Sequence, residues 1–265
     1  MGAKVVTITS GKGGVGKTTT TANVGVALAK LEQKVIMIDA DIGLRNLDIV
    51  MGMESRIVYD LVDVVEGRCK LRQAMIKHKQ FPELYLIPAA QSRDKTAVSP
   101  ADMIQLTDQL RADCDYILID SPAGIERGFR NAIAPADEVM VVTNPEVSAV
   151  RDADRIIGLL EANHKGQGQL IINRLKPEAV RRKEMLSPED ITDILGIQII
   201  GIVPEDENVV PSSNTGVPVT LMEHSKAGAA FRDIARRLMG ETVPFASMDE
   251  SGGLFKRIAR LFGGS

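Results

Sequence analysis

Short apolar runs rich in valine and isoleucine alternate along this chain with longer stretches whose apolar residues recur at helical spacing. The runs at 5–9, 35–39, 84–88, 116–120, 139–143, 170–173 and 199–204 are nearly free of polar residues. Such continuous runs predict strands of a parallel sheet covered on both faces. Helices are expected at 18–31, 57–66, 100–112, 148–161, 187–195 and 226–239. The alternation implies an α/β fold: a doubly wound, mostly parallel sheet with helices on both faces. Open sheets of this kind bind ligands beyond the carboxyl ends of their strands, so the residues that follow each strand carry the functional interest.

The first strand runs into Gly11, Lys12, Gly13, Gly14, Val15, Gly16, Lys17 and Thr18, followed by Thr19. This is a full GxxxxGK[ST] phosphate loop in its required setting between strand and helix. Its glycines let successive N–H groups turn toward an anion, and the following helix N-terminus reinforces them. Lys17 is placed to reach the β- and γ-phosphates and Thr18 to ligate Mg²⁺. Taken alone, Lys12 is most simply a solvated charge.

Three later strand ends are polar. Asp39 and Asp41 follow the second strand, and two carboxylates so close to a phosphate loop repel unless one faces a metal ion or a water. Asp120 ends an apolar strand before Ser121, Pro122, Ala123 and Gly124, the arrangement in which an acid contacts Mg²⁺, usually through water. The metal set read from sequence is therefore Thr18, Asp39 and Asp120. Asn173 with Arg174, and Pro204 with Glu205 and Asp206, stand after two further strands. A side-chain amide can pair with an adenine edge and an arginine can stack on its ring, but as residues alone these are equally ordinary loop chemistry.

At the carboxyl end, Leu254, Phe255, Ile258, Leu261 and Phe262 share one helical face, with Lys256, Arg257 and Arg260 elsewhere on the wheel. A short basic amphipathic helix after a glycine tether has the traits of a segment that lies in a membrane interface. One such tail binds weakly, and two tails on a dimer gain avidity. The expected organisation is a nucleotide-binding domain over 1–240, a flexible linker over 241–253 and a membrane-targeting helix over 254–262.

Composition narrows the classes. With 265 residues, 44% of them hydrophobic, the chain can bury a full core. A formal net charge of -3 argues against bulk attraction to nucleic acid. The two cysteines, Cys69 and Cys114, lack the spacing of a metal site or a disulfide framework. The first strand begins too soon for a signal or transit peptide, and Val6 stands where a myristoylation motif wants Ser or Thr.

The run from Lys12 to Thr19 resembles the deviant Walker A motif of the ParA/MinD ATPases, and the likeness extends through 39–48, 120–126, 143–155 and the basic tail. By this resemblance Lys12 reaches across an ATP-bound homodimer to the partner's phosphates, Asp41 orients the attacking water with Asp39 in support, and Asn173, Arg174, Pro204 and Asp206 lie in adenine-binding segments. ATP with Mg²⁺ is then the expected cofactor, and no NKxD-like guanine reader is present. The tail and the long matching runs favour the septum-positioning branch over DNA-segregating, iron–sulfur and flagellar-number relatives. That branch implies a MinC-like division inhibitor and a MinE-like ATPase activator as partners. It also implies an anionic lipid surface on the cytoplasmic face of the inner membrane, or a plastid counterpart, with no specific nucleic acid. Arg151, Asp152 and Asp154 would then lie on or near the partner-binding surface.

Overall fold

The computed structural model describes residues 2–94 and 96–246. The expected membrane helix at 254–262 lies outside them. In chain order the elements are β1 (Lys4–Thr9), α1 (Lys17–Lys30), β2 (Val35–Asp39), α2 (Leu47–Val50), α3 (Leu61–Val65), α4 (Leu71–Ala74), β3 (Ile76–Lys77) and β4 (Leu84–Ile87). The second half adds α5 (Pro100–Leu110), β5 (Tyr116–Asp120), α6 (Arg127–Ile133), β6 (Glu138–Thr143), α7 (Val147–Ala162), β7 (Gln169–Leu175), α8 (Pro177–Arg181), α9 (Pro188–Leu195), β8 (Ile199–Pro204), α10 (Val209–Thr215) and α11 (Lys226–Leu238).

The strands form one sheet in the order β3-β4-β2-β5-β1-β6-β7-β8. Every pairing is parallel except that of β3 with β4. Alternate residues of each strand point to opposite faces. Val6, Ile8, Met37, Leu118, Met140 and Ile171 join α1 and α11 in one core layer. Val5, Ile36, Ile38, Ile117 and Ile119 pack against α5 and α6, while Val139, Val141, Leu170 and Ile172 pack against α7 and α9. The expected doubly wound sheet is thus the observed one. Its central strand β1 lies between β5 and β6, where the chain's winding changes direction, so the phosphate loop sits at the topological switch point.

Several local expectations change. The helix expected over 57–66 begins only at Leu61, because Asp60 accepts the N–H groups of Val62 and Asp63 while the Asp63 carboxylate accepts the N–H of Asp60. Strand β7 runs past 173 to Leu175 through a register shift, with Arg174 at φ 57. The two-residue strand β3 and the short helices α2, α4, α6, α8 and α10 are too brief to leave a periodic signal. The start of the expected flexible linker is held against the body: the Arg237 guanidinium donates to the carbonyls of Val243 and Pro244. Among the described residues no helix is long and apolar enough to cross a membrane.

Candidate active site

The phosphate loop is defined by where a side chain cannot go. Gly16 is the N-cap of α1 at φ 105, a conformation that β-carbons disfavour, and an added Cβ there would collide with the Asn173 amide. A Cβ on Gly11 would strike the backbone carbonyl of Asp152 in α7. The loop is therefore wedged between the end of β7 and the side of α7. Lys17 and Thr18 open α1, so their N–H groups belong to the first turn and lack intrahelical partners. The partial positive charge of that helix end favours an anion.

Lys17 is buried, which pulls its ammonium below the usual lysine range, while Asp120 and Asp41 pull it back up. Asp39 and Asp120 are paired across β2 and β5 as the last residues of both strands, and both are buried. Burial is the main force raising the Asp120 carboxyl, and Asp39 adds to it; Thr18 and Lys17 oppose the rise. Thr18 helps hold the charge of the Asp120 carboxylate, and the Thr21 hydroxyl, with one proton to give, lies 3.3 Å from that carboxylate and 3.0 Å from the Lys17 carbonyl. Thr21 was not singled out from sequence, although its place one helical turn after Lys17 puts it on the inward face.

The donor set of hydroxyl and carboxylate oxygens suits a hard divalent cation that completes its shell with phosphate oxygens and water. Among the described residues no group of three or more His, Cys, Asp or Glu is arranged to hold a metal alone. The fit concerns Thr18 and Asp120 most directly. Asp39, also read as a metal residue, has another engagement. One of its oxygens accepts the N–H of Asp41 at 3.0 Å, and the other accepts those of Asn46 and Leu47 at 3.1 Å each. Its carboxylate ties the 40–46 loop and the start of α2 to the sheet. Burial raises the Asp39 carboxyl as well, against these three donors. Asp41 is half-buried beside them and lies close enough to Lys17 to act on its charge.

Lys12 stands apart from this buried set. Its side chain is 48% exposed, with the ammonium 3.9 Å from Glu146. Such an exposed pair contributes little to stability and leaves the side chain free to move.

The expected adenine residues separate. Asn173 is buried and donates to the Val15 carbonyl at 2.8 Å, so it braces the phosphate loop. Arg174 is exposed beside it, and Pro204 ends β8 in register with Leu175. Asp206 is half-buried just after β8. Its carboxylate accepts from the Ser225 hydroxyl at 2.7 Å, the Ala227 N–H at 3.1 Å, and the N–H and side chain of Asn208 at 3.0 and 2.7 Å. Burial works against its charge, but these donors outweigh burial and hold the carboxyl down at about 2. Asp206, expected among the nucleotide-binding residues, anchors the start of α11. Ser225 caps the same helix by accepting the Gly228 N–H.

Arg151 and Asp154 are exposed on α7, whereas Asp152 is half-buried with its backbone against Gly11. The partner surface expected on α7 and the phosphate loop are thus in direct contact.

Residues 6–219 match the CobQ/CobB/MinD/ParA nucleotide binding domain family. The septum site-determining protein MinD of Synechocystis sp. is 53% identical over 264 residues, covering 98% of this chain and 99% of that protein. The MinD of the MinC:MinD cell division protein complex from Aquifex aeolicus superposes with a TM-score of 0.87 at 51% identity, covering 92% of this chain and 99% of that one. The septum site-determining protein MinD of Pyrococcus horikoshii, complexed with Mg-ADP, gives a TM-score of 0.80 at 31% identity over 89% of this chain and 96% of its own. The phosphate loop at the switch point and near-complete coverage by these relatives converge: the chain belongs to the CobQ/CobB/MinD/ParA nucleotide-binding family and, within it, to the septum site-determining MinD ATPases.

Proposed function

We propose that this ATPase binds ATP with Mg²⁺, dimerises on ATP through Lys12, lies on the inner face of the cell membrane through residues 254–262, and there recruits a MinC-like division inhibitor. A MinE-like activator would stimulate hydrolysis and release it. The observation that carries the dimer is the contrast between its two loop lysines: Lys17 is buried among the site's carboxylates, and Lys12 points outward from the same loop. A cation on an outward-facing phosphate loop is suited to a phosphate bound by a second chain, as arginine fingers are in related chemistry.

Within one chain, the loop N–H groups and Lys17 hold the β- and γ-phosphates. Thr18 and Asp120 would hold Mg²⁺, which would neutralise charge on the phosphates. Asp41, fixed through its N–H to Asp39, would orient a water in line with the bond from γ-phosphorus to the leaving oxygen. The water oxygen bonds to phosphorus as the bond from phosphorus to the leaving oxygen breaks, the water's proton passes to the released phosphate or to solvent, and ADP and phosphate depart. The MinC partner is supported by the Aquifex aeolicus complex and Mg²⁺ by the Pyrococcus horikoshii structure, both on relatives.

Sedimentation velocity tests the dimer. With ATP and Mg²⁺ the chain is expected to shift from monomer to dimer, and Lys12→Ala to stay monomeric while still binding ADP. A dimer that forms equally in ADP, or without Lys12, would remove the reading.

A further inference from the structure

The chain that follows α11 does not leave the domain at its helix end. Gly240 turns it at φ 91, and Glu241 pairs with Arg236 at 2.8 Å. Arg237 then uses every edge of its guanidinium. Nε donates to the Val243 carbonyl at 2.9 Å, Nη2 to the Pro244 carbonyl at 3.0 Å, and Nη1 to the Ile200 carbonyl of β8 at 3.0 Å. Its flat face covers the Phe245 ring at 4.1 Å, and Phe245 packs on the apolar layer that includes Ile199, Ile197 and Leu195. A planar fork that donates in three directions while stacking is something lysine cannot reproduce.

The platform beneath is rigid. Gly201 allows α11 to approach β8 so closely that an added Cβ would strike Ile234. At the other end of α11, Asp206 and Ser225 fix the first turn.

We propose that Arg237 is a positioning residue that docks residues 243–245 on the edge strand β8, so that the tether to the membrane-targeting helix starts at 246 rather than 241. The inference rests on the membrane reading given above. Counting the connection to residue 254 from 246 rather than from 241 would raise the effective concentration of a second tail about twofold, since for a flexible connection that quantity falls with roughly the −3/2 power of length. The root of the tail is also held at the beginning of β8, on the end of the sheet away from the phosphate loop. Nucleotide and lipid would then be engaged at opposite ends of the same strands.

The chain has no tryptophan, so Phe245→Trp in the full-length protein supplies a single emitter at the clamp. Its acrylamide quenching is expected to rise severalfold when Arg237→Gln or Arg237→Lys is added. In parallel, the ATP-dependent affinity of the otherwise unaltered chain for vesicles of anionic phospholipid should fall about twofold in Arg237→Gln. Phe245→Ala frees the same segment without touching the Ile200 carbonyl and should give the same loss should Arg237 variants prove unstable. Deleting 248–251 in either background should restore binding, a rescue that a merely structural role would not show. Unchanged quenching without Arg237 would overturn the clamp, and unchanged vesicle affinity with raised quenching would overturn its role as tether. A parent chain that ignores vesicles would remove the membrane reading and the tether role with it, leaving the quenching result to judge the clamp separately.

Discussion

Asp120 and Asp206 both stand at or just beyond the carboxyl end of a strand of the same sheet, yet their environments are opposite. Asp206 is surrounded by donors from its own chain and held at about 2. Asp120 faces another carboxylate, and burial and that neighbour push it up. A carboxylate satisfied by its own chain is part of the scaffold. One that meets a like charge beside a buried lysine is set up for something the chain does not supply. The contrast separates the phosphate end, which does chemistry, from the β8–α11 corner, which holds shape.

Substitutions that act on chemistry should show the largest effects. Lys17→Ala is expected to lower ATP turnover by roughly 10³ or more, as a buried cation at a phosphate loop would stabilise the transferring phosphoryl group. Lys12→Ala should lower turnover by roughly 10² to 10³ while ADP affinity, measured by calorimetry, stays within about twofold. Equal losses of ADP binding in the two variants would erase the distinction between an inward and an outward lysine.

Stability effects come next. Gly11→Ala forces a methyl against the α7 backbone and should cost about 1–3 kcal/mol in denaturant unfolding, with activity reduced as well. The two aspartates should then diverge in sign. Asp206→Ala should destabilise by about 1–2 kcal/mol with turnover little changed. Asp120→Asn should abolish Mg²⁺-supported turnover while leaving the nucleotide-free protein as stable as its parent or more so, because it removes a buried like-charge repulsion. If both acids destabilise equally on neutralisation, the comparison fails.

The smallest effect is one of pH. The Asp206 carboxyl is lower in the folded state than in the unfolded chain, so the folded state binds fewer protons there. Its contribution is complete above about pH 4 and is lost as pH falls toward 2, amounting to about 1–2 kcal/mol after allowance for partial exposure. Asp206→Ala should flatten the acid limb of the stability profile in that window.

The phosphate loop, the acid of β5 and the doubly wound sheet were legible in sequence because each is written in contiguous residues: a glycine run, an apolar strand, a terminal Asp. What was not legible depends on contacts distant in sequence. Asp39 and Asp206 carry the same carboxylate as Asp120, and only the folded positions of the Asn46, Leu47 and Ala227 N–H groups and the Ser225 hydroxyl show which donors of their own chain they engage. Asn173 was found for its amide, but that amide is turned to Val15 across a span of 158 residues. The closeness of Gly11 to α7 has no sequence signature beyond the glycine itself. The start of the linker read as flexible because nothing local reveals that Arg237 holds it.

The most direct test is sedimentation of the full chain with anionic phospholipid vesicles in ATP, ADP or no nucleotide, alongside Lys12→Ala and a truncation before Leu254. Pelleting is expected to require ATP, Lys12 and the carboxyl-terminal segment together. Pelleting that ignores nucleotide, or that survives loss of either Lys12 or the segment, would contradict it.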